Sequence, residues 1–254
     1  MSALDGARAI VNLAGRTLDC RHTPENKREI RASRRESVAA LGDAASTVSR
    51  PPEVWVQMSA VGYYGDSGDE VCTEDAPPGD DFVARIAQEW EKAFAQSCPD
   101  SVRPTVMRTG FVLGPDGGAL PVLTRLTRLG LGGATGNGRQ FISWIHVDDV
   151  AGAMLFAIRD STARGTYNLC APAPKRNAEF MRAMRSALNR PWCPPAPGFL
   201  VEIGAAIMGT EADLSLKGQR CSSERLLQDG YRFRHPDFEA ALADAIPRDK
   251  AGNN

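Results

Sequence analysis

The chain contains 254 residues, of which 43% are hydrophobic and 24% are charged, a balance typical of a folded globular protein rather than a disordered one. The formal net charge is −1, so the overall charge gives no reason to expect binding to nucleic acid or to an anionic membrane. No apolar run approaches the length of a membrane span, and the first residues do not resemble a secretion signal.

Strands and helices alternate along the first two thirds of the chain. An apolar strand is predicted at residues 9–13, typical of a parallel strand buried on both faces, and a helix capped by Thr23 at residues 24–41. The next predicted elements are strands at 54–58, 105–108, 141–145 and 166–170, and helices at 81–96, 119–129, 147–158 and 178–188. This alternation indicates an α/β fold with a doubly wound parallel sheet.

The remainder of the chain has a different pattern. It is rich in proline at residues 191–197 and then predicted to be helical in three short pieces, the last two at 223–229 and 236–246. These short elements predict a small, mostly helical cap at the C-terminus. We therefore expect a core domain at residues 1–170 and a cap region at residues 171–254.

The cysteines and histidines show no grouping in the sequence. The six cysteines contain no Cys-x-x-Cys pair, and we expect free thiols in a reducing cytoplasm. His22, His146 and His235 lie far apart, and no zinc-type spacing links them to a cysteine or carboxylate, so we predict no metal site. His146 and the acidic residues after it are expected to cap the helix at 147–158.

Two motifs of dinucleotide-dependent oxidoreductases are missing. The three-residue glycine spacing at Gly130, Gly133 and Gly136 is not read as a pyrophosphate-binding turn, because a helix precedes it and a strand follows, the reverse of the required context. This segment is either a loop at a substrate entrance, with Arg139 as an anion contact, or a plain surface loop. In addition, none of the four tyrosines is followed four residues later by the lysine of a Tyr-x-x-x-Lys pair.

Ser59 is the first candidate for a functional side chain, because it follows the carboxyl end of a buried strand, where α/β sheets place groups that contact ligands. Tyr63 and Tyr64 follow within the segment Gly62–Gly65 and offer hydroxyls for a substrate or a nicotinamide ribose. The alternative is structural: Ser59 forms a turn, one tyrosine ring packs in the core and the other covers a loop.

The helix at 24–41 has a strongly basic composition. The alternatives are a solvated basic face and a helix from which one or two cations reach a cofactor phosphate, for which arginine offers a planar, permanently charged fork. Its basic residues are Lys27, Arg28, Arg31, Arg34 and Arg35.

Several segments, taken together, resemble the atypical extended short-chain dehydrogenase/reductase family that is often described as nucleoside-diphosphate-sugar epimerase-like. The resemblance covers nearly the whole chain, and the order and spacing of the segments make it specific. The segments are Val11-Asn12-Leu13-Ala14-Gly15, Ser59-Ala60-Val61-Gly62-Tyr63-Tyr64-Gly65, Asp81-Phe82 with Trp90-Glu91, Arg108-Thr109-Gly110-Phe111-Val112-Leu113-Gly114, Trp144-Ile145-His146-Val147-Asp148-Asp149, Gly218-Gln219-Arg220 and Gly230-Tyr231.

The resemblance implies a Rossmann-type fold, the binding of NADP(H) and a C-terminal extension domain. By position, Leu13 and Ala14 would line the cofactor after the first strand, and Glu29 and Arg34 would be its polar contacts on the following helix. Val112 would contact the cofactor near its nicotinamide end. Ser59 would be the usual active-site hydroxyl of the family.

The chain departs from the family pattern in two ways. The helix that would carry Tyr-x-x-x-Lys has neither residue at 81–87, and a βαβ unit with the glycine-rich turn, about 50 residues long, is expected before Ile10. We therefore expect NADP binding to be weakened or lost, and either a true start upstream of Met1 or a chain of low stability. Ile10, Val11 and Leu13 are expected on an exposed sheet edge that pairs with another copy.

Two functional hypotheses follow. The first is an NADP(H)-binding oxidoreductase or epimerase-like protein that acts on an unknown small molecule, with Ser59, Tyr63 and Tyr64 as its catalytic candidates. The second is a non-catalytic remnant of the family that acts as a binding or regulatory module. A hydrolase is not supported, because the sequence has no Gly-x-Ser-x-Gly motif.

Overall fold

A computed structural model describes residues 3–246. In the first half, the elements are β1 (Ala9–Asn12), α1 (Pro24–Thr47), β2 (Val54–Ala60), a 3-10 helix (Val61–Tyr64), β3 (Val71–Cys72), α2 (Phe82–Ser97), β4 (Arg103–Thr109), β5 (Phe111–Leu113) and α3 (Ala119–Arg128). The second half contains β6 (Phe141–Ile142), β7 (Trp144–His146), α4 (Val147–Arg159), β8 (Gly165–Leu169), β9 (Lys175–Arg176), α5 (Asn177–Ala187), α6 (Gly198–Met208), α7 (Asp213–Leu216), β10 (Arg220–Cys221), α8 (Glu224–Gln228) and α9 (Phe238–Ala245).

The central sheet has four parallel strands in the order β1-β2-β4-β8. Helices cover both of its faces, which confirms the predicted doubly wound α/β fold. Trp55 points to the face covered by α1 and α2 and packs with Trp90 and Phe94, whereas its neighbours Val54 and Val56 join the cluster on the face covered by α4. This alternation follows from the two-residue repeat of a strand.

The edge of this sheet at β1 is partly apolar and exposed. Among the described strands, β1 pairs with β2 alone. The side chains of Val11 and Leu13 are 40% and 58% exposed, as predicted. The prediction was wrong for Ile10, which is 4% exposed because it packs with Val38 of α1.

Helix α1 is longer than predicted and continues through Gly42 to Thr47. Gly42 is buried where α1 crosses α2, and a Cβ atom at this position would lie 2.5 Å from the carbonyl oxygen of Ser97. The glycine therefore permits the close approach of two helices inside α1, rather than ending the helix.

The C-terminal region is mostly helical, as predicted, but the expectation of three helical pieces was wrong. Residues 198–246 contain the four helices α6–α9, of which α7 is a single turn. Strand β10 pairs with β3 of the core, and α9 packs against β5 and β7, so this region is attached to the core by long-range contacts. Within residues 3–246, no helix combines the length and the apolar character needed to cross a membrane.

Candidate functional site

The carboxyl ends of the parallel strands form the edge where α/β sheets bind ligands. Residue Asn12 ends β1, and its side-chain amide donates to Oε1 of Gln57 on β2 at 3.0 Å. Its Oδ1 accepts the backbone N–H of Ala14 at 3.0 Å, which turns the chain after β1. Ser59 lies near the end of the neighbouring strand β2, so the structure brings the two predicted segments to one edge.

The Ser59 hydroxyl is buried and belongs to a charged network. Its Oγ donates to Oε1 of Glu91 on α2 at 2.6 Å, and the residue is 2% exposed. The same carboxylate accepts from Nε and Nη2 of Arg108 on β4 at 2.9 and 2.8 Å. Because the Ser59 proton is directed at Glu91, the lone pairs of Oγ remain to accept a hydrogen bond from a ligand hydroxyl.

Arg108 connects this network to the tyrosines. Its Nη1 donates to the Tyr64 hydroxyl at 2.8 Å and to the carbonyl oxygen of Glu74 at 3.0 Å, and its guanidinium lies 3.5 Å from the ring centroid of Tyr63. Burial alone would lower the pKa of Arg108, but the hydrogen bonds and charge of Glu91 outweigh it and raise the pKa. The guanidinium is therefore a fixed positive charge.

The two candidate tyrosines differ in their environment. The Tyr64 hydroxyl donates to Oδ1 of Asn168 at 2.7 Å while accepting from Arg108, and burial raises its pKa well above the usual value, with the Arg108 charge opposing. A proton held in this way is poorly suited to exchange near neutral pH. Tyr63 is half-buried, so of the pair it has the better access to a ligand. The catalytic roles of Ser59, Tyr63 and Tyr64 stay predictions.

Four of the five predicted cofactor residues occupy three different settings. Leu13 and Ala14 are exposed after β1, at the ligand-binding edge of the sheet. Glu29 on α1 forms an ion pair with Arg16 of the loop between β1 and α1. Val112 lies on β5 and packs against the hydrophobic cluster under α4.

Arg34 is not part of a solvated basic face. It is 8% exposed, donates through Nη1 to the carbonyl oxygen of Arg16 at 2.9 Å, and lies 4.8 Å from the ring centroid of Trp90. Burial lowers its pKa. Its guanidinium holds the loop after β1 against α1 and α2, so it supports the segment that carries Leu13 and Ala14.

Leu13 and Ala14 follow β1 and Ser59 lies near the end of β2, so all three are at the carboxyl ends of adjacent parallel strands. The loop from β1 to α1 contains a single glycine, Gly15, and a Cβ there would lie 3.2 Å from Cζ of Arg34. The turn from β5 to α3 contains three glycines, Gly114, Gly117 and Gly118, but it lacks the Gly-x-Gly-x-x-Gly spacing of a pyrophosphate-binding turn.

Family comparisons agree with this geometry. The model of the NAD dependent epimerase/dehydratase family matches residues 2–170, and a second model, "Domain of unknown function (DUF1731)", matches residues 196–245. The chain belongs to the NAD dependent epimerase/dehydratase family.

Relatives within this family match over most of the chain. The bovine (Bos taurus) epimerase family protein SDR39U1 is 39% identical over 96% of the chain and 84% of its own length. The Bacillus subtilis epimerase family protein YfhF is 32% identical over 93% of the chain and 77% of its own length. A crystal structure of human SDR39U1 (isoform 2) with NADPH has a TM-score of 0.87 and 36% identity, and covers 94% of the chain and 81% of the human one.

Sequence reasoning missed the partners of Ser59. Glu91 and Arg108 were noted only as parts of family-like segments, although a charged residue at the carboxyl end of the predicted strand 105–108 was a usable signal. Asn168 and Glu74 had no local signal, since the backbone N–H of Asn168 reaches Oε1 of Glu74, at 2.8 Å, across 94 positions.

His146 caps α4 as expected, since its Nδ1 accepts the backbone N–H of Asp148 at 3.2 Å. Its ring stacks on that of His235 at 3.8 Å between centroids, and His146, His235 and Asp244 place ligand-type atoms within 4.8 Å of one another. However, a neutral imidazole that accepts at Nδ1 carries its proton at Nε2, which lies 3.3 Å from Oδ2 of Asp244. A metal ion bound at Nε2 of His146 would have to replace this proton.

The glycine-rich segment after α3 packs against the Pro-rich segment. Thr135 forms a bridge with Ala196, and a Cβ at Gly133 would overlap the carbonyl oxygen of Pro194. Arg139 lies 3.9 Å from Asp69, so its charge is opposed by a carboxylate. These contacts give the segment a packing role.

Proposed function

We propose that this chain is an NADP(H)-binding oxidoreductase or epimerase-like protein that acts on a small molecule. The observation that carries the proposal is that exposed Leu13 and Ala14 and the hydrogen-bonded Ser59 lie at the carboxyl ends of two adjacent strands, β1 and β2. The NADPH in the crystal structure of the 36% identical human relative supports the choice of cofactor.

In this proposal, side chains of the protein bind the substrate and the cofactor and orient them. Ser59, with its proton directed at Glu91, accepts a hydrogen bond from a substrate or ribose hydroxyl, and Arg108 holds the Glu91 carboxylate in place by two hydrogen bonds. A bound nicotinamide would supply hydride transfer. Tyr63 is the candidate for proton exchange, because its half-buried position leaves it more accessible than Tyr64.

We expect NADPH binding to be weakened because the loop from β1 to α1 has one glycine. Titration of the purified chain should give a saturable rise in nicotinamide fluorescence, with half-saturation at high micromolar NADPH or above. Ala14→Trp fills the proposed site with a bulky ring and should abolish this rise. The matched control is Ala151→Trp, at an exposed position of α4, which should bind as the parent does. No saturable signal at millimolar NADPH, or equal binding by both variants, would refute cofactor binding at this edge.

The alternative is a non-catalytic member of the family that acts as a binding or regulatory module. It is favoured by the absence of a Tyr-x-x-x-Lys pair and by the Tyr64 hydroxyl being held between Arg108 and Asn168. NADPH binding that depends on Ala14, with no turnover of any carbonyl or sugar-nucleotide substrate, would favour this alternative.

We also propose that the β1 edge pairs with another copy of the chain, since Val11 and Leu13 are exposed there. A cytoplasmic location stays a prediction; six free cysteines are consistent with it.

A further inference from the structure

Two cysteines face each other where the C-terminal region joins the core. Strands β3 and β10 are parallel, and Cys72 and Cys221 are direct partners in their register. Neighbouring strands lie about 4.8 Å apart. This spacing falls within the separation of about 4.4–6.8 Å between Cα atoms that a disulfide spans.

Both thiols point to the same side of this two-stranded ladder. Val71 is 50% exposed and Arg220 is half-buried, whereas the next residues, Cys72 and Cys221, are 5% and 2% exposed. Because alternate side chains of a strand face opposite sides, both sulfur atoms project inward. The buried Cys170 is a third thiol in the same cluster.

The two thiols are chemically unequal. Interaction with the Cys221 thiol lowers the pKa of Cys72 to about 7 against the effect of burial, and Ser67 and the backbone of Arg220 act in the same direction. The same interaction and burial raise the pKa of Cys221. Cys72 is therefore the nucleophile of the pair, and Cys221 is placed to react with it in a second step.

We propose that Cys72 and Cys221 are a redox-active dithiol that a peroxide converts into a disulfide between the core and the C-terminal region. The Cys72 thiolate attacks one oxygen of hydrogen peroxide, the O–O bond breaks, and the products are a Cys72 sulfenic acid and hydroxide, which takes up a proton to become water. The Cys221 sulfur then displaces the hydroxyl group of the sulfenic acid, and its proton leaves in a second water molecule. Two thiols lose two electrons, and one peroxide gains them.

The strand that carries Cys72 lies at the protein surface. The residues on either side of Cys72, Val71 and Thr73, are exposed, and the preceding turn at Asp66–Glu70 is largely exposed. The disulfide would form next to the candidate site, because the carbonyl oxygen of Cys72 accepts a hydrogen bond from Nδ2 of Asn168 at 3.0 Å. This proposal does not depend on cofactor binding.

The test is thiol mapping of the purified full chain. The reduced protein is treated with hydrogen peroxide, the remaining thiols are alkylated, and the peptides are identified by mass spectrometry. We expect two of the six thiols to be lost, a joined Cys72–Cys221 peptide pair, and full recovery with dithiothreitol. The control Cys98→Ser should behave as the parent, because burial raises the pKa of Cys98 to about 11.

Two variants and the pH dependence of alkylation test the assignment of Cys72 and Cys221. Cys72→Ser and Cys221→Ser should each abolish the joined peptides, and alkylation of Cys72 in the parent should be half-maximal near pH 7. A joined Cys170–Cys221 pair, oxidation of Cys72 beyond the sulfenic state without a disulfide, or unchanged thiols would overturn the proposal. The mapping of the parent chain needs no variant, so a variant that fails to fold does not weaken the test.

Discussion

The two sides of the ligand-binding edge of the sheet have opposite character. Towards β4 and β8, the polar groups of Glu91, Arg108 and Tyr64 are bonded to one another away from solvent. At β1, Val11 and Leu13 are exposed, and no strand among the described residues covers the outer side. The closed side is fixed by its own contacts, whereas the open side exposes the residues that we propose to contact a ligand or another strand.

The closed side depends on every one of its members. The side chains of Arg108 and Glu91 are 6% and 15% exposed, so each charge relies mainly on the other in place of water. Buried ion pairs of this kind add little stability relative to apolar packing, but loss of one partner leaves an uncompensated charge. The network therefore fixes the orientation of Ser59 through Glu91.

The largest effect on the closed side is expected from Arg108→Leu. It leaves the buried Glu91 carboxylate without its cation, and we expect the free energy of unfolding to fall by about 3–5 kcal/mol. Urea denaturation followed by circular dichroism measures the change. The matched control is Arg50→Leu, whose partner is Asp5 and whose side chain is 73% exposed.

For this exposed pair the expected loss is at most about 1 kcal/mol. Equal losses in Arg108→Leu and Arg50→Leu would mean that the closed side is no more dependent on its charges than the protein surface.

The fold could be predicted because its signals are local. Apolar strands and the four-residue spacing of Phe82, Ile86, Trp90 and Phe94 on α2 are visible in short windows of sequence. The position of Ser59 after a buried strand was equally visible.

The remaining features depend on distant parts of the chain. Arg34 was expected either on a solvated basic face or at a cofactor; it is buried against Trp90 of α2, which rules out the solvated face, and the cofactor contact stays a prediction. The pairing of β3 with β10 joins two-residue strands, with Cys72 opposite Cys221 in the register. Neither strand is long enough to show a periodic pattern, so no sequence window could indicate it.

A smaller loss of stability is expected from Tyr64→Phe, which tests whether Tyr64 belongs to the closed side. Tyr64→Phe removes a hydroxyl that donates to Asn168, so the Oδ1 of that buried amide loses this hydrogen bond. We expect a loss of about 1–3 kcal/mol in the free energy of unfolding. Tyr63→Phe, which removes a half-buried hydroxyl, should change it by less than about 0.5 kcal/mol. If Tyr63→Phe lowered the free energy of unfolding more than Tyr64→Phe, then Tyr63 rather than Tyr64 would belong to the closed side.

The smallest expected effect concerns the open side. If β1 pairs with a second copy, a charge at the exposed Val11 should oppose the contact, because lysine on an edge strand must stay hydrated. We expect Val11→Lys to raise the dimer dissociation constant about tenfold, equivalent to about 1.4 kcal/mol, in sedimentation equilibrium. Leu155→Lys places the same charge at a 47% exposed position of α4 and should leave association unchanged. Equal effects of the two lysines would assign self-association to overall charge, and a parent chain that stays monomeric at all concentrations would show that β1 does not pair with a second copy.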